Sequence, residues 1–143
     1  MTKREEMVIQ DCFLTMGKRL DNGEWVEGYL SKSRYQGKGA LVPCIDYEER
    51  GVMLSSCVMP DTIRKCTGHR DKNGKLIFEQ HIVDFFFKGK MERGIIKWFY
   101  DIAGFMITNI CNSWIEPLDR YDIEVIGDTY NNPELLEEAK EYE

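Results

Sequence analysis

Apolar residues in this chain come in short runs that alternate with polar ones, and glycine, proline, asparagine or aspartate cuts each run off after five to ten residues. That period belongs to half-buried β-strands, whose side chains point to opposite faces in turn. Strands are expected from Val8 to Leu14, Glu24 to Leu30, Ala40 to Tyr47 and Val52 to Met59. Pro43, which lacks a backbone donor, marks the third as an edge or a bulge. Pro60-Asp61-Thr62-Ile63 turns into a further short strand. Beyond it, Ile82 to Phe87 is apolar enough for a central strand, and Gly94 to Tyr100, Ala103 to Ile110 and Tyr121 to Ile126 complete the set. Ser31 to Gly39 and Asn112 to Asp119 read as loops, and Trp25 is expected to face the core.

The stretch from Thr67 to Val83 organises the chain, with Asp71-Lys72-Asn73-Gly74 thrown as a polar turn between two segments that need burial. Asn-Gly predicts a type I′ hairpin turn, because both central residues then take positive φ. The tail changes character. Asn132 before Pro133, followed by Glu134, predicts a capped helix over residues 132–141 with acidic residues at its positive end. Leu135, Leu136 and Ala139 give that helix one modest apolar face, a candidate contact for packing in cis or for oligomerisation. The pattern as a whole predicts a mainly β, β-rich α+β protein of antiparallel sheets with a short C-terminal helix.

At 143 residues the chain suits a single domain, with sub-lobes at 8–66 and 67–130 ahead of the acidic helix. No run approaches the ~18 apolar residues of a membrane span, and the polar start, Met1-Thr2-Lys3-Arg4-Glu5-Glu6, is unlike a secretory signal. A cytoplasmic location is expected. Charge divides unevenly: residues 1–60 carry 8 basic and 9 acidic side chains, residues 61–98 carry 9 and 5, and residues 99–143 carry 2 and 11. A basic middle can track phosphates or meet an acidic surface, the acidic end of a second copy included.

Candidate chemistry adds little. Cys12, Cys44, Cys57, Cys66 and Cys111 are scattered and odd in number, which argues against a disulfide framework and zinc spacing and for reduced thiols. The two histidines, His69 and His81, stand beside no oriented carboxylate or thiol, so a base or ligand role is set below a structural one. The Asp71 turn lacks the later ligands of a calcium loop. No catalytic residue, metal or cofactor is assigned. Lys88, Lys90, Arg93, Lys97 and Trp98 form the one candidate partner or nucleic-acid surface, since Trp98, Phe99 and Tyr100 beside Lys97 and Arg93 look like the platform of a single-strand binder. The plainer account of the aromatics is the end of a core strand.

Four ordered segments carry a resemblance: Gly17-Lys18-Arg19-Leu20-Asp21-Asn22-Gly23-Glu24-Trp25-Val26-Glu27-Gly28-Tyr29-Leu30, Thr67 to Glu79, Gly94-Ile95-Ile96-Lys97-Trp98, and Glu124-Val125-Ile126-Gly127-Asp128-Thr129-Tyr130-Asn131-Asn132-Pro133-Glu134-Leu135-Leu136. Together, over about Phe13 to Leu136, they resemble the YopX family of phage and prophage proteins. The resemblance implies a compact SH3-like or similar small barrel, possible multimers and no established activity. One departure stands out. Where the family reads Glu-Gly-Asp-Ile-Val, this chain has Glu79-Gln80-His81-Ile82-Val83. If that glycine supplies positive φ, Gln80 carries a steric cost of about 1 kcal/mol. Two function classes follow: a non-enzymatic accessory protein working through protein contacts or homo-oligomers, and a small β-barrel that binds nucleic acid through the basic 61–98 segment.

Overall fold

The computed structural model describes residues 13–137. The expected strand from Val8 lies almost wholly outside them, as do Ala139 and the part of the expected helix 132–141 beyond residue 137. Eleven strands are present among the described residues, and the chain divides into two compact units between Cys66 and Thr67.

The first unit is a meander. Strands β1 (Leu14–Lys18), β2 (Trp25–Arg34), β3 (Leu41–Glu49) and β4 (Val52–Cys57) pair antiparallel in chain order. A 3-10 turn at Pro60–Thr62 then sends β5 (Arg64–Arg70) back to β1, with Thr15 opposite Lys65 and Met16 opposite Arg64. Just past β1, Arg19 bridges Val58, Leu20 N–H donates to the Cys57 carbonyl and Met59 N–H to the Lys18 carbonyl. The sheet thus curls until the ends of β1 and β4 meet, around fully buried Ile45 and Val58.

Two expectations change here. β2 runs on through Ser31–Arg34, which reads as loop, because Ser33 and Arg34 find partners in Val42 and Leu41 while their own side chains stay exposed. Pro43 sits inside the sheet, not at its edge. Its carbonyl accepts the Val58 N–H at 3.0 Å, so its nitrogen faces the same side, where β4 has just ended and no ladder bond is lost from the middle of the pairing. Trp25 is half-buried, with the Arg64 guanidinium 4.8 Å and the Lys18 ammonium 5.4 Å from its ring.

In the second unit the rest of β5 pairs with β6 (Leu76–Phe78), and a second sheet runs in the order β10-β9-β8-β7-β11. Its members are β7 (His81–Phe87), β8 (Lys90–Phe99), β9 (Gly104–Thr108), β10 (Ile115–Pro117) and β11 (Glu124–Asp128). Ile77, Val83, Phe85, Ile96, Ile107, Leu118 and Ile123 form its core, and Trp114 and Tyr121 pack against Phe85 at ring distances of 5.6 and 5.0 Å. The expected loop 112–119 therefore contains a strand, held because Trp114 reaches the core and Thr108 Oγ1 donates to the Trp114 carbonyl.

The hairpin between β5 and β6 has a different turn from the one expected. Gly74 takes φ +83°, but Asn73 does not take positive φ, and Gly74 N–H donates to the Asp71 carbonyl while Asp71 N–H donates to that of Lys75. This is a type I turn closed by glycine in the left-handed region. Asp71 explains the choice. Its buried carboxylate accepts the N–H groups of Asn73 at 2.9 Å, Lys75 at 2.8 Å and Val125 at 3.0 Å, so the turn is shaped around one anion that also ties in β11. Burial pushes this carboxyl up, but the donors at Val125, Lys75 and Asn73 and the Lys75 charge together leave it below its ordinary value.

A depressed carboxyl contributes stability that is present above its unfolded pKa and lost as pH falls through the lower folded one. Asp71→Asn is expected to cost about 2 kcal/mol at neutral pH, through weaker bonds to three donors. It should also flatten the acid limb of stability, as pH falls below the ordinary carboxylate range. Urea unfolding at several pH values reads both effects, and an acid limb of unchanged slope would contradict this role.

Candidate interaction surface

β8 is the strand on which the candidate basic residues fall, and it is paired along both sides, with Asp84 opposite Arg93 on β7 and Lys97 opposite Met106 on β9. Alternation divides the set. Ile96 lies in the core, so Lys90 and Trp98 share its face, while Arg93 and Lys97 project from the other. Lys90 and Trp98 lie about 26 Å apart along the strand. Lys88 stands off in the two-residue turn before β8, where Lys88 at φ +50° and Gly89 at φ +84° form the type I′ geometry. The fold thus does not gather Lys88, Lys90, Arg93, Lys97 and Trp98 on one surface.

Four of the five also have local company. Lys88 Nζ lies 5.2 Å from the Phe87 ring centre, and Lys90 Nζ pairs with Glu92 at 3.1 Å. Arg93 grips Asp84 with two nitrogens, Nε to Oδ1 at 2.8 Å and a terminal nitrogen to Oδ2 at 3.2 Å, and donates from the other to the Leu135 carbonyl at 3.2 Å. Arg93 is therefore a clamp that holds the tail against the second unit's own sheet. Leu135 and Leu136, offered by the sequence as oligomer contacts, are half-buried there. Trp98 packs edge-on against Phe105 at 5.0 Å, and Tyr100 next to it is 88% exposed.

The face that carries Arg93 holds a feature not singled out from sequence. Phe86 on β7 stands directly opposite Met91 on β8, and they are 62% and 61% exposed. The signal was present in Phe85-Phe86-Phe87: in a strand, the middle residue must face away from its two neighbours, and Phe85 and Phe87 both turn toward Trp114. Phe86 and Met91 thus form an apolar pair beside the neutralised Asp84–Arg93 pair, close to where the tail docks.

Glu79 and Gln80 join β6 to β7, which His81 opens. Gln80 takes φ +68°, the left-handed region expected if glycine normally stands there. It is held by its N–H to the Ile96 carbonyl at 2.8 Å, by its carbonyl from Thr129 N–H at 3.0 Å, and by Thr129 Oγ1 on Gln80 Oε1 at 3.2 Å. His81 is buried, its Nδ1 accepting the Phe78 N–H at 3.0 Å, which engages the ring in the turn itself. Among the described residues, no group of three or more His, Cys, Asp or Glu side chains converges as metal ligands would, and no helix is long and apolar enough to cross a membrane.

The four segments that carry the resemblance thus occupy the β1–β2 hairpin, the Asp71 hairpin, β8 and the β11–tail junction. A family model for the YopX protein matches residues 17–137. The chain belongs to the YopX family. Among solved structures, the crystal structure of protein EF1440 from Enterococcus faecalis is similar over 85% of this chain and 96% of that one, at 20% identity and a TM-score of 0.47. Comparison with curated proteins found no match. Within the YopX match lie Gln80, the Asp84–Arg93 pair and the Phe86–Met91 face.

Arg93→Ala should destabilise the second unit by about 1–2 kcal/mol, because a two-pronged, partly buried pair is lost. Hydrogen exchange at the Leu135 and Leu136 amides should quicken by more than global unfolding explains, and unchanged exchange would refute the clamp. Gln80→Gly should raise unfolding free energy by about 0.5–1 kcal/mol by relieving the left-handed residue. Thermal unfolding measures it, and a loss of stability would mean the Thr129 contact outweighs the strain.

Proposed function

We propose that this YopX-family chain is a phage- or prophage-derived accessory protein of the bacterial cytoplasm that works through protein contacts, self-association first, with no catalytic step of its own. The observation that carries the reading is the exposed Phe86–Met91 pair on a paired sheet face. Apolar side chains held rigidly on a strand lose little entropy on binding and gain burial, which is how aromatic anchors dominate interfaces. The neighbouring Arg93 is already paired with Asp84, so a partner need not desolvate an unpaired charge there. Tail residue Leu135 borders the same face through the Arg93 contact.

Nucleic-acid binding through the basic 61–98 segment is the second reading. It asks for Lys88, Lys90, Arg93, Lys97 and Trp98 on one surface, and β8 parts them between two. Mobility shift of labelled DNA or RNA that collapses as salt rises would favour it.

Sedimentation velocity over a wide concentration range tests the first reading. The wild-type chain is expected to associate above the monomer, and Phe86→Glu or Met91→Glu to weaken that association by about 10-fold or more, a loss of roughly 1.4 kcal/mol. A wild type that stays monomeric throughout, or variants that assemble as it does, would overturn self-association through this face.

A further inference from the structure

Cys44 on β3 and Cys57 on β4 are direct cross-strand partners, with Sγ atoms 3.1 Å apart. Val58 N–H donates to the Pro43 carbonyl, which brackets the pair and makes it a non-hydrogen-bonded one. In such pairs the Cα atoms stand about 4.5 Å apart and the side chains lean together, inside the range a disulfide spans. Cys44 and Cys57 project from the face of β3 and β4 opposite to buried Ile45, so joining them asks nothing of the interior around it. Cys44 is 1% exposed and Cys57 is half-buried, so the two sulfurs differ in access.

We infer that Cys44 and Cys57 form a redox modification site that a peroxide converts to a cross-strand disulfide, with Cys57 meeting the oxidant and Cys44 resolving it. The thiolate of Cys57 attacks one peroxide oxygen, the O–O bond breaks, and Cys57 becomes a sulfenic acid while hydroxide leaves. Cys44 sulfur then attacks the Cys57 sulfur, the S–O bond breaks, and the departing oxygen leaves as water with the Cys44 proton. Two thiols are oxidised by two electrons, and one hydrogen peroxide is reduced to two waters. Burial, with the bond to Cys57, pushes the Cys44 thiol up to about 11, which keeps it protonated until the sulfenic acid beside it gives it a target. The product pins the β3–β4 hairpin and constrains the unfolded chain between residues 44 and 57. The sequence, with its scattered and odd cysteines, gives no hint of the pairing; strand register makes it.

Intact-mass spectrometry and peptide mapping of the full chain test the site after brief exposure to hydrogen peroxide. The expected result is a loss of about 2 Da, a linked peptide containing Cys44 and Cys57, return of the mass with dithiothreitol, and a higher unfolding temperature for the oxidised form. Cys57→Ser should abolish the link, and the wild-type map decides the matter even if Cys44→Ser does not fold. The inference fails if Cys57 proceeds to sulfinic acid while Cys44 stays alkylatable after denaturation. It fails equally if both thiols survive peroxide unmodified, or if either links to another cysteine instead.

Discussion

Strand alternation under double-sided pairing is the constraint on which the second unit depends. Once Phe85 on β7 and Ile96 on β8 enter the core, every other side chain on both strands has its face assigned, because a one-residue slip would exchange the faces wholesale. Phe86, Met91, Arg93 and Lys97 are then bound to emerge together on one side, and Lys90 and Trp98 on the other. The pairing of Asp84 with Arg93 follows from the same register and recruits the Leu135 carbonyl. An exposed apolar pair and a docked tail are thus by-products of burying one phenylalanine and one isoleucine.

Much of this was legible in the sequence. The period-2 pattern placed most strands in the described residues, since alternation and turn residues reflect local physics, although β1 (Leu14–Lys18) begins where the strand expected from Val8 ends. The other misplacements share a cause. Ser31–Arg34 became strand because a partner strand supplied its hydrogen bonds, and Ile115–Pro117 because Trp114 found a core to enter. Neither partner can be seen from the segment itself. The turn at Asn73-Gly74 went to type I because Asp71 collects three backbone donors, one of them from Val125, more than fifty residues away.

The candidate surface was less legible than the fold. Clustering of Lys88, Lys90, Arg93, Lys97 and Trp98 in sequence suggested clustering in space, which a strand by its nature undoes. Arg93, offered by the sequence as part of a nucleic-acid or partner surface, is a clamp on Asp84 and the Leu135 carbonyl. Gln80 was the opposite case: if the family's glycine takes positive φ, a side chain there carries a steric cost that favours a different turn, yet at φ +68° the backbone keeps the left-handed conformation. A residue type at one position carries conformational information that a run of like charges does not.

The order in which strands meet has a kinetic side. From β1 to β4 and from β7 to β10, each strand pairs with the one made just before it, so these hairpins close short loops and form fast. β11 is different, since Glu124 must travel back across some forty residues to reach Asp84, and the Asp71 carboxylate waits for Val125. A nascent chain therefore holds β7 with one bare edge, and the Asp71 turn with one donor missing, until its final strand is made. That interval is when the second unit is most open to mispairing with another chain.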